Sequence, residues 1–266
     1  MSAGTIVKTA LTEEKLYLTK GKNMANQVIS FIKKKLLGKN KNLISLDEPY
    51  EVIGRLLRGH DITGFIDAGA SDGRISKRLL RKFPTAHAYA FEPNPVYTKA
   101  LQRYAEKDAR FHPCYLALSD REGTAELYVT ESSGCTSLFA PGNRLKEIEP
   151  EASRVKTLEK VQTIRIDEWS KRSGDPPVQL MKFDIQGGEL KVLHGATGVL
   201  QRSTLLVYTE IWFNQAYEGG TIYSEIDSFF REYGFVLYDI FKPKYNAKGL
   251  IMWGNAIFLN VQRLGM

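Results

Sequence analysis

From residue 50 onward the chain alternates between short apolar runs and segments whose apolar residues recur at helical spacing. TGFIDAG, HAYAFEP, RFHPCYLALSD, TAELYVT, VQTIRID, VQLMKFDI, TLLVYTEIWF, FVLYDIF and NAIFLNVQ read as strands. Helical periodicity covers Glu51–Arg58, Ile75–Lys82, Val96–Glu106, Glu168–Arg172, a short stretch opening at Glu189, and Tyr223–Tyr233. Glu131–Val161 follows neither period and reads as a long polar, irregular segment. Strands alternating with helices predict an α/β fold with a mostly parallel sheet covered on both faces. Only Lys242–Gly254 joins the last two strands, with no crossover helix, so they should form an antiparallel hairpin at the sheet edge.

Residues 1–49 stand apart as a basic N-terminal arm, with residues 50–266 as the main domain. The arm includes an expected helix near Met24–Leu37, where Val28, Ile29, Phe31, Ile32, Leu36 and Leu37 make an apolar side broken by Lys33–Lys35. It reads as a helix packed on the main domain with its lysines in water. The alternative is weak contact with an anionic membrane or polymer.

Charge sharpens this division. The 266 residues carry a net +7, and residues 1–45 alone hold nine lysines against two acids, which accounts for all of it. The remainder has 28 basic and 28 acidic residues and is neutral, which argues against a nucleic-acid enzyme with a basic catalytic face. The two cysteines, Cys114 and Cys135, are too few for a disulfide scaffold or a thiolate zinc site. With no apolar run of transmembrane length and no signal-peptide core, the expected location is cytoplasmic.

The strongest local motif is FIDAGASDGR at residues 65–74. Asp67 closes a strand, the loop Gly69, Ala70, Ser71 follows, and Gly73 leads into a helix. The G-x-x-x-G spacing is not the G-x-G-x-x-G of a dinucleotide fold and builds no standard pyrophosphate cradle. Asp67 would sit badly beside a phosphate and well beside a cationic amino group. Glu92, followed by Pro93 and Asn94 in AFEPNP, ends the next strand, where a carboxylate can accept both hydroxyls of a ribose. Leu118, Ser119 and Asp120 end the third strand, where an adenine edge would lie. An amino acid joined to a nucleoside would meet these groups in turn. S-adenosylmethionine, with S-adenosylhomocysteine as product, fits that description, and the terminal hairpin resembles the seven-stranded, Rossmann-like sheet of methyltransferases that use it.

Taken together, FIDAGASDG, FEPNP, ALSDREG, FDIQGGELKVLHGA, TEIWF, GFVLYDI and WGNAIF resemble the FkbM family of methyltransferases from about Phe65 to Phe258. The order DIQGGE, TEI, WGNAIF is the specific part. The resemblance implies O-methylation of a hydroxyl on a sugar, glycan or polyketide-type small molecule. Asn255 stands in WGNAIF where the family often has an acid, so no catalytic duty falls there. NPVY at Asn94–Tyr97 follows the second strand rather than the fourth and reads as a turn.

Methyl transfer is an in-line displacement that needs an aligned acceptor, excluded water and a destination for the hydroxyl proton. Asp184 is expected beside the methionine end of the cofactor as positioner. Glu210, closing the adjacent strand, is expected as general base or hydroxyl-orienting group. The pair could instead chelate Mg²⁺, although no further ligand spacing supports a metal. Glu189 suits the first turn of its helix, and His194 reads as a last-turn histidine before a C-terminal glycine. Trp212, Tyr217, Tyr223 and Trp253 could stack on a sugar face or belong to the core. Two other classes compete: an NAD-dependent oxidoreductase on a similar sheet, and a non-catalytic module recruited to an anionic surface by the arm. The oligomeric state is not legible.

Overall fold

The computed structural model describes residues 48–266; most of the basic arm, including the expected Met24–Leu37 helix, lies outside the described residues. Helix α1 (Pro49–Leu56) starts on a Glu48 cap whose carboxylate accepts from the Tyr50 amide. Strand β1 (Gly64–Ala68), helix α2 (Arg74–Lys82) and strand β2 (His87–Phe91) follow. The NPVY segment is the expected turn: Asn94 caps a 3₁₀ turn at Pro95–Tyr97 that continues into α3 (Thr98–Ala105).

The third predicted strand divides. β3 (Phe111–Cys114) pairs with β2, but β4 (Ala117–Leu118) leaves for a second sheet. There β4 runs parallel to β6 (Val155–Ile164), which pairs antiparallel with β5 (Gly123–Thr130). Glu131–Val161 is therefore not irregular throughout: it holds a 3₁₀ turn at Ser133–Cys135, helix α4 (Asn143–Ile148) and the first half of β6. Exposed lysine and glutamate positions on that half hid the strand, because only its far end buries an apolar face.

After α5 (Ile166–Arg172) the chain returns through β7 (Leu180–Phe183), α6 (Glu189–His194), α7 (Thr197–Arg202) and β8 (Leu206–Trp212). Helix α8 (Tyr223–Glu232), strands β9 (Phe235–Tyr245) and β10 (Ile251–Asn260), and the short α9 (Val261–Leu264) complete it. The seven-stranded order is β3-β2-β1-β7-β8-β10-β9, with β10 antiparallel to both neighbours. The terminal hairpin thus stands at the sheet edge, longer than its sequence pattern suggested because both strands extend toward the Asn246–Leu250 turn.

Side chains alternate across this sheet. Ile66, Met181, Val207 and Phe258 fill the core on one face; Phe65, Leu180, Leu206 and Ile257 fill the other. The chain steps outward from β1 to β3 and then returns to the other side of β1 at β7. Adjacent loops diverge at that switch point, opening a crevice beyond the carboxyl ends of β1 and β7.

Candidate active site

A cavity of about 780 Å³ opens at that crevice, within the usual range of roughly 300–1,000 Å³ for ligand pockets. Gly69, Ala70 and Ser71 line it after β1, Glu92, Pro93 and Asn94 after β2, and Asp184 with Gln186 after β7. Gly69 has φ +71°, and a Cβ there would lie 2.0 Å from the Asp184 carbonyl oxygen. Only glycine lets the two loops approach this closely.

Glu92 is buried, and both its oxygens are fixed by backbone. Oε2 accepts from the Ser71 amide at 2.8 Å and Oε1 from the Asn94 amide at 2.9 Å. Burial raises its pKa, opposed by those two amides and by the Lys182 charge. Each oxygen keeps acceptor capacity, so the carboxylate is held where two neighbouring hydroxyls could be received.

Asp67 does not meet that expectation. It is 0% exposed and does not line the cavity; Ser76 Oγ donates to it at 2.7 Å, and Lys182 Nζ lies 3.2 Å from its Oδ1. The cation it serves is internal. Lys182, which sequence reasoning missed, also donates to the carbonyls of Ala68 (3.2 Å) and Gly69 (2.9 Å). Burial would lower its pKa, but Asp67 and Asp184 outweigh that and hold it above the ordinary lysine value. The visible signal was a lysine inside the greasy run LMKF.

Leu118, Ser119 and Asp120 are also displaced from the expected site. With β4 in the second sheet they do not line the cavity: Leu118 is buried in the core and Ser119 donates to Asp120 at 3.1 Å. The Ser119 carbonyl instead faces Gly195, where a Cβ would come within 2.3 Å. Gly195 follows His194 as expected but has φ −82°, so close packing, not a left-handed turn, requires the glycine. The His194 ring packs edge-on against Phe229.

Asp184 faces the cavity with 46% of its side chain exposed, 3.7 Å from Lys182 Nζ. Gln186 Nε2 donates to its Oδ1 at 2.9 Å, and Tyr217 Oη donates to Gln186 Oε1 at 2.7 Å. Gln186 holds φ +60°, an uncommon backbone for a residue with a Cβ, and Ser137 Oγ donates to its carbonyl at 2.6 Å. Both Gln186 and Ser137 line the cavity and were missed, since their placement depends on the turn and on the folded 131–154 segment. Glu189 straps the same turn from the first position of α6, accepting from the Ile185 and Gly187 amides, and burial pushes its carboxyl up to about 7.

Glu210, expected as the base, lies behind the cavity wall rather than in it. It is 6% exposed, does not line the cavity, and accepts from Trp212 Nε1 at 3.0 Å. Burial, with the like charges of Asp184 and Glu189, raises its pKa well above the usual carboxylate range. Trp212 and Tyr217 are buried against each other with centroids 5.9 Å apart, closed to a sugar face. Trp253 is half-buried against Trp212, and Tyr223 packs on Phe213; neither lines the cavity. Burial raises the Cys114 and Cys135 thiols to about 12 and about 11, which suits neither to nucleophilic work. Among the described residues no group of three or more His, Cys, Asp or Glu is arranged to hold a metal ion.

Residues 67–237 match the Methyltransferase FkbM domain. The chain belongs to the FkbM methyltransferase family. That match sets aside the oxidoreductase reading, as does β10 lying antiparallel within the sheet. The FkbM chain is similar to 2-O-methyltransferase NoeI of Sinorhizobium fredii, with 29% identity over 58% of this chain and 65% of the relative. It is also similar to Methyltransferase 1 of Beauveria bassiana, with 27% identity over 51% of this chain and 59% of that protein. It thus spans less than two thirds of either relative's length. A solved FkbM methyltransferase from Methylobacillus flagellatus aligns over 75% of this chain and 44% of its own, with TM-score 0.48 and 13% identity. Among the described residues no helix is long and apolar enough to cross a membrane.

Proposed function

We propose that this FkbM protein uses S-adenosylmethionine to methylate a hydroxyl oxygen on a sugar, glycan or polyketide-type small molecule. The observation that carries the reading is Glu92, fixed by two backbone amides beside the Gly69–Ser71 loop at the switch-point cavity. The residues fit the cofactor. Glu92, anchored by the Ser71 amide, suits a ribose diol, and Gly69, whose missing Cβ lets its loop close on the Asp184 carbonyl, keeps that loop at the cavity wall. Bound there, S-adenosylmethionine would supply an electrophilic methyl group.

The chain's own part is orientation and proton placement. Asp184, fixed by Gln186 and open to the cavity, is the carboxylate positioned to align an acceptor hydroxyl and take its proton. Glu210 and Tyr217 support it from behind through Gln186. Leu127 and Leu138 of the second-sheet region give the cavity an apolar wall that limits water. NoeI, by its name a 2-O-methyltransferase, favours oxygen as the acceptor atom. The test is methyl-group transfer from labelled S-adenosylmethionine into extracts of glycans and secondary metabolites, with the product bond identified by mass spectrometry. An N- or C-methylated product would contradict the reading.

A further inference from the structure

The cavity has two chemically different walls. Strand ends carry Glu92 and Asp184 on one side. The other is a face of α2 bearing Arg74, Lys77, Arg78 and Arg81, spaced i, i+3, i+4 and i+7 so that all four reach the same cavity. Two of them are already compensated: Arg74 by Asp72 at 3.0 Å, and Arg78 by Glu48 and Glu51. Lys77 and Arg81 have no carboxylate within ion-pair distance among the described residues. Lys77 Nζ lies 4.5 Å over the Tyr104 ring, which leaves its charge unneutralised.

This is a local excess, because beyond residue 45 the chain is balanced at 28 basic and 28 acidic residues. A sulfonium donor carries a net positive charge, so only its carboxylate would gain from a basic wall. Concave surfaces of one sign concentrate ligands of the other. We infer that the acceptor is an acid: a small molecule or glycan whose phosphate, sulfate or carboxylate group is held by Lys77 and Arg81 while its hydroxyl turns toward Asp184. This rests on the methyl-transfer reading and narrows its substrate class.

Calorimetric titrations of the full-length protein with inorganic phosphate, sulfate and acetate test it, each with and without S-adenosylhomocysteine. The comparison is a Lys77→Gln/Arg81→Gln variant, whose thermal midpoint is checked against wild type. The expected result is saturable binding of at least one anion, weakened about tenfold in the variant, as for two partly exposed charges on one anion, with cofactor-product affinity unchanged. No saturable anion binding, or equal binding by the variant, overturns the inference. A variant that loses S-adenosylhomocysteine affinity as well overturns it too, since the wall would then hold the cofactor's own carboxylate. Failure of the methyl-transfer reading shows separately, as no S-adenosylhomocysteine heat from wild type, and takes the acceptor assignment with it.

Discussion

Asp67 and Lys182 are direct partners across the β1–β7 pair, and their charged ends meet at 3.2 Å with almost no exposure to solvent. The pair bridges the two strands whose loops build the cavity, and Lys182 also holds the carbonyls of Ala68 and Gly69, where the chain turns into the glycine loop. The charge expected to serve a ligand serves the scaffold under it.

Lys182→Met should destabilise the fold by about 3–5 kcal/mol, because it leaves Asp67 charged, buried and unpaired. Asp67→Asn combined with Lys182→Met should recover most of that loss. Urea unfolding of both variants measures it; equal losses in the single and double variants would mean that lost packing, not the orphaned charge, dominates.

Asp184→Asn should leave the fold intact, since the side chain is half exposed, and the new amide can still accept from Gln186. Turnover should fall by roughly 10²–10⁴-fold, the usual scale for a positioned base. Initial rates with any acceptor the wild type methylates would check it, and wild-type turnover would remove Asp184 from the chemistry.

Glu189 predicts a pH effect with a definite sign. Its carboxyl rises from 4.5 to about 7 on folding, so the folded state binds the extra proton and stability falls as pH climbs from about 4.5 to 7. The shift corresponds to about 3 kcal/mol. The stability of Glu189→Gln relative to wild type should therefore improve across that window and level off above it. Thermal midpoints for both proteins between pH 4.5 and 8 give the comparison. A constant difference would place the pH dependence elsewhere.

Much of the scaffold was legible because buried parallel strands announce themselves as apolar runs, and Gly69, Glu92 and Asp184 sit where those runs end. Side-chain partnership was not legible. Asp67 looks the same in sequence whether it meets a ligand or a lysine, and only the β1–β7 register decides. ALSD was assigned to the cavity because the chain was read as one strand through Cys114, whereas Ala117–Leu118 pairs with Thr163–Ile164 in the second sheet. Trp212 and Glu210 satisfy each other, so an aromatic and an acid that both suggested chemistry turn inward. Ser137 and Gln186, 49 positions apart, meet only because the segment after β5 folds back over the turn.

Calorimetric titration of S-adenosylhomocysteine into wild type and Glu92→Ala tests most directly whether Glu92 and the Gly69–Ser71 loop form the cofactor site. Wild type should bind in the micromolar range, on the order of −7 to −8 kcal/mol. Glu92→Ala should weaken that by roughly 1.5–3 kcal/mol, the scale for hydrogen bonds to a charged acceptor. Equal affinity in the two proteins, with the variant still folded, would remove Glu92 from the cofactor site.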